Sequence, residues 1–140
     1  MDRRAFMMTG AWLSSAAGAA WPWLVHAAAR PDTLAVIDPT LANSPAFANY
    51  VAQMKLPVFE TGDDIGVLWY TTLAPRLRQT PAQSCASLIG LTRASDYFVL
   101  RELATRAGHM VEHSSEWVER GERPVAHVAF ALTPRLVRLR

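Results

Sequence analysis

Cysteine is almost missing from this chain. Cys85 is the only one in 140 residues, so no intramolecular disulfide can brace the fold. It opens an apolar run, which reads as an inert buried thiol, with a reactive or intermolecular thiol as the other possibility. A strong excess of charge of one sign is missing too. A formal net charge of +2 lacks the basic excess of a nucleic-acid-binding protein, and Arg135, Arg138 and Arg140 at the C-terminus are too few to supply it. No Gly-x-Gly-x-x-Gly follows the first apolar run and there is no Walker A lysine loop, so neither dinucleotide nor nucleoside-triphosphate binding has a motif. Internal repeats are absent, and low complexity is confined to the N-terminus. With 51% hydrophobic residues, the chain fits one small compact domain that must pack well.

The first 29 residues form a separate segment. Arg3 and Arg4 precede a stretch without charge from Ala11 to Ala20, and Ala27, Ala28 and Ala29 offer small residues where a signal peptidase can cut. Arg3-Arg4-Ala5-Phe6-Met7 resembles the bacterial twin-arginine export signal, in which paired arginines precede a phenylalanine. The resemblance implies handling by the twin-arginine translocase and a signal peptidase, passage in the folded state, a periplasmic destination, and a cofactor or partner often carried along. Residues 1–29 are then the signal peptide and 30–140 the single domain. The alternative is that Ala5 to Val25, near the ~20 residues that span a bilayer, stays as an uncleaved anchor.

Ser84 to Gly108 organises the remainder. Leu88, Ile89 and Leu91 belong to a short apolar run suited to a strand buried on both faces. Thr92 can cap a helix in which Val99, Leu100, Leu103, Ala104 and Ala107 share a stripe, and Gly108 sits where such a helix closes. Thr33 to Ile37 repeats the strand signal and stops at Asp38-Pro39. Ser44-Pro45 then starts a helix carrying Phe47, Tyr50, Val51 and Met54. Pro57 to Phe59 is a second short strand, followed by a helix with Ile65, Leu68, Trp69 and Leu73 that Pro75 should end or kink. His109 to His113 alternates and predicts a fourth strand reaching Trp117. Val125 to Leu132 follows too closely for a helical crossover and should pair antiparallel at an edge. The expected fold is therefore a small open α/β sheet, mostly parallel. About four parallel strands and an antiparallel C-terminal edge strand carry flanking helices in a Rossmann-like or flavodoxin-like manner. It also looks like half of a periplasmic binding protein's lobe, an analogy at the level of fold alone.

In open α/β sheets ligands bind beyond the carboxyl ends of the strands, where helix N-termini also point. Those loops carry Asp38, then Asp63 and Asp64, then Thr92, Arg93 and Asp96, and these six are the candidate ligand-binding residues. Backbone N–H groups near Arg93 suggest an anion such as phosphate or carboxylate. The simpler reading is that Thr92 and the aspartates only cap helices. His109-Met110-Val111-Glu112-His113 matches His-x-x-Glu-His, the pattern of inverzincin metalloproteases, whose chemistry needs a helix. On a strand His109, Val111 and His113 would share one face, so the metal reading is a minor alternative, extended by a two-histidine site with His127. Trp69, Tyr70 and Trp117 read as core or rim aromatics rather than a stacking platform.

No catalytic residue and no cofactor is specified by these signals. They point to an exported accessory or small-ligand-binding protein. The alternatives are a small periplasmic enzyme or cofactor carrier using the carboxylates, or a subunit co-exported with a larger periplasmic redox protein.

Overall fold

Leu34, Ala35, Val36 and Ile37 are apolar, contiguous and all buried, which a strand allows only when it is covered on both faces. Leu34 and Val36 enter one hydrophobic cluster, Ala35 and Ile37 the other. This strand lies in the middle layer of a three-layer arrangement. The computed structural model describes residues 22–30, 32–78, 87–119 and 125–135. In chain order the elements are α1 (Leu24–Ala28), β1 (Leu34–Ile37), α2 (Ser44–Gln53), β2 (Val58–Glu60), α3 (Ile65–Leu68), a π-helical turn (Trp69–Leu73), α4 (Ala74–Arg78), β3 (Leu88–Arg93), α5 (Ala94–Arg106), β4 (His109–Glu119) and β5 (Val125–Pro134). Among the described residues no helix is long and apolar enough to cross a membrane. Arg3, Arg4, Phe6, Cys85, the side chain of Trp117, and Arg138 and Arg140 lie outside the described residues.

The fold class is α/β, with a five-stranded mixed sheet in the order β2-β1-β3-β5-β4. β1 pairs parallel with β2 and β3, whereas β5 pairs antiparallel with both β3 and β4. The expectation of four parallel strands with Val125–Leu132 at an edge is thus corrected: most of the ladder is antiparallel, and β4, not β5, stands at that edge. The reason is burial. Val128 to Leu132 is buried throughout and belongs inside the sheet, while β4 carries His113, Ser114 and Glu116 exposed.

Each face of the sheet carries its own hydrophobic cluster. Val36, Leu88, Phe130 and Leu132 meet Ile65, Trp69 and Leu73 of the α3–α4 segment and Tyr97 and Leu100 of α5. On the opposite face Ala35, Ala129 and Ala131 join Phe47 and Val51 of α2 and Leu24, Ala27 and Ala28 of α1. α1 therefore lies within the stretch assigned above to the leader. Burying a side chain such as Leu24, which is fully enclosed, contributes about 1.5–3 kcal/mol. The buried stripe of α5 is Tyr97, Leu100 and Ala104, rotated from the expected one, so Val99 and Ala107 are exposed. Gly108 takes φ +97° just past the helix, a conformation glycine adopts without strain.

Pro75 does not end its helix. The N–H of Ala74 donates to the carbonyl of Trp69, five residues back, and the widened turn lets the chain pass a proline that would crowd the carbonyl four residues before it.

Candidate functional site

The chain leaves β1 for α2 on one face and leaves β2 for the α3–α4 segment on the other, so the carboxyl ends of β1, β2 and β3 open onto one crevice. A cleft of about 320 Å³ lies there, with Asp38, Thr40, Glu60, Asp63, Arg93 and Asp96 on its walls. Asp38 closes β1, and its N–H donates to the carbonyl of Leu91 at 2.9 Å. Its carboxylate Oδ1 accepts from the backbone N–H of Thr40 at 2.9 Å and from the Thr40 hydroxyl at 2.6 Å, fixing the Asp-Pro-Thr turn. Oδ2 faces Arg93 Nε at 3.2 Å, and Arg93 Nη2 donates to Thr40 Oγ1 at 3.3 Å. Asp38 is buried while the Arg93 side chain is half exposed, so the arginine roofs the carboxylate. The second wall follows β2, where the Thr61 N–H donates to the Ile37 carbonyl at 3.1 Å and Gly62 turns at φ +63° to present Asp63.

Of the six residues expected at the site, Asp38, Asp63, Arg93 and Asp96 line the cleft. Asp64 turns away to cap α3, accepting from the N–H groups of Gly66 at 2.9 Å and Val67 at 3.2 Å. Thr92 caps nothing. It is the fully buried penultimate residue of β3, its hydroxyl donates to the Arg93 carbonyl at 3.1 Å, and the helix begins at Ala94. Thr40 and Glu60 are additional wall residues. The Asp-x-Thr turn signal could have found the first, and the second is simply the last residue of β2.

The electrostatics do not favour an anion. Arg93 is already engaged by Asp38, and Glu60, Asp63 and Asp96 add negative charge without a second cation among the described lining residues. Asp96 is pushed above the usual carboxylate range, first by burial and next by Asp38, with Arg93 opposing. A cationic or hydroxyl-bearing ligand fits these walls better.

The histidine motif is taken apart by the fold. His109–Glu119 is a strand, but a β-bulge at Glu112 breaks its alternation: Val111 pairs with Leu132 and His113 with Ala131. The expectation that His109, Val111 and His113 share a face is therefore corrected. His109 lies beside Trp69 and Leu77, whereas His113 stacks on Trp23 on the opposite face, with ring centroids 5.3 Å apart. His127 is four residues from Ala131 along β5, roughly 13 Å at strand spacing, so it cannot complete a site with His113. Among the described residues no group of three His, Cys, Asp or Glu side chains can hold a metal ion.

A second, apolar cavity of about 270 Å³ lies between the π-helical turn and the end of α5, walled by Trp69, Tyr70, Leu77 and His109. Trp69 is a core residue and Tyr70 a rim one, exposed by two-thirds. Comparison of the chain with protein-family models, with curated proteins and with solved structures gives no match in any of the three.

Proposed function

We propose that this chain is an exported, non-catalytic protein that binds a small polar ligand in the cleft at the carboxyl ends of β1, β2 and β3. The carrying observation is the convergence there of four carboxylates from three separate segments around one arginine. Such a crevice is where open α/β sheets of Rossmann-like or flavodoxin-like form take ligands. Its excess negative charge selects a ligand bearing an ammonium or guanidinium group, with hydroxyls free to bond Thr40. The twin-arginine resemblance of Arg3-Arg4-Phe6 supports a periplasmic place of work and an accessory role beside a larger redox protein.

Calorimetric titration with putrescine, lysine, arginine, choline and calcium tests this reading. At least one of the organic cations should bind, and Asp63→Asn should weaken it by about two- to fivefold, the effect of an exposed charge. No binding by any of the organic cations at millimolar concentration, whether or not calcium binds, would reject the reading. A second reading, a small enzyme using these carboxylates, is favoured by Asp96, which lines the same cleft as Asp38 and whose carboxyl is raised first by burial and next by Asp38.

A further inference from the structure

The trialanine Ala27-Ala28-Ala29 satisfies the chemistry of signal-peptidase cleavage, yet the fold uses it. Leu24, Ala27 and Ala28 are buried in the cluster over β3 and β5, so a cut after Ala29 has its third-last residue enclosed in the core. The backbone is also occupied. The N–H groups of Ala29 and Arg30 donate to the carbonyls of Val25 and Ala27, and the Thr33 hydroxyl, a bifurcated donor, reaches the carbonyls of Arg30 at 2.7 Å and Ala27 at 3.3 Å. Two side chains then fasten the segment to the sheet edge. Arg30 makes a bidentate ion pair with Glu112, the bulged residue of β4, and Trp23 stacks flat on His113 at an interplanar angle of 8°. A peptidase needs an extended, accessible chain, and a protein carried folded meets it with this segment already packed.

We propose that processing falls upstream of Pro22, at the small residues Ala17-Gly18-Ala19, and that Trp23 to Arg30 remains on the mature chain as a clamp over β3, β5 and the β4 bulge. These upstream residues place small side chains at the third-last and last positions before the cut. They also leave Ala5 to Ala16 as an uncharged stretch within the ~7–15 residues of a signal core. This inference rests on the export reading of the arginine pair.

The full-length chain is expressed in a bacterium with a twin-arginine translocase, and the intact mass of the periplasmic protein is measured. The mass should correspond to a chain beginning at Ala20; a chain beginning at Arg30 would overturn the inference and leave export standing. Ala19→Lys should accumulate precursor, whereas Ala29→Lys, an exposed position, should mature normally. The reverse pattern would overturn it. Should the wild type stay unprocessed in the cytoplasm, export itself fails, and thermal melting of chains beginning at Ala20 and at Arg30 decides the clamp. The shorter should melt lower by on the order of 10 °C, and equal melting would refute a structural role for Trp23 to Arg30.

Discussion

Arg93 changes meaning between sequence and structure. As a basic residue at a helix start it reads as an anion anchor, but its guanidinium covers a buried aspartate whose other oxygen is held by Thr40. Replacing Arg93 with alanine should therefore cost stability, about 1–3 kcal/mol for leaving a buried charged group short of a partner, rather than the few tenths typical of an exposed arginine. Urea denaturation measures it, and a loss below about 0.5 kcal/mol would show that Asp38 does not depend on the pair. Gly90 is constrained in another way. A Cβ there would stand 2.4 Å from the Phe130 ring and 2.8 Å from the Val36 carbonyl oxygen, so the ring crosses the strand where glycine leaves room. Gly90→Ala should destabilise the fold by about 1–3 kcal/mol through overpacking, read as a lower midpoint in the same denaturation, and an unchanged midpoint would mean that Phe130 swings aside freely.

At the scale of elements, most of what the sequence announced was local. Continuous apolar runs located β1, β3 and β5, and Asp38-Pro39 marked the end of β1 and so one wall of the cleft. Pro75 is passed without ending the helix because a π-helical turn absorbs it, and no residue pattern announces that. The bulge at Glu112 was equally hidden, since His-Met-Val-Glu-His alternates as a regular strand would and only pairing with β5 reveals the extra residue. That bulge carries a pH signature. Arg30 holds the Glu112 carboxyl below its ordinary value of 4.5, chiefly by hydrogen bonding. A carboxylate with a depressed folded pKa contributes stability that is fully present above the unfolded value and is lost as pH falls through the folded one. Glu112→Gln should thus lose about 1 kcal/mol or less at neutral pH, with the difference from wild type shrinking below pH 4.5. Parallel stability curves across that window would show that the pair is not formed.

For the whole molecule, local signals could not order the strands. The short link between β4 and β5 made them antiparallel neighbours, but which of the two sits beside β3 depends on the apolar content of both compared together. Val128 to Leu132 wins that comparison over the histidines and serines of β4. The candidate site was more legible than the order of the sheet, because residues at carboxyl strand ends converge wherever β1, β2 and β3 are adjacent and parallel. The charge balance of the resulting cleft was not legible, since Arg93 had to be seen on Asp38 before its carboxylates counted as excess. Amide chemical-shift mapping of the ¹⁵N-labelled protein during titration with the best-binding organic cation locates the ligand directly. Shifts should concentrate on Thr40, Thr61 to Asp63 and Ala94 to Asp96. Shifts clustered instead around Trp69, Tyr70 and Ala107, or spread without focus, would contradict a binding site at the carboxyl ends of β1, β2 and β3.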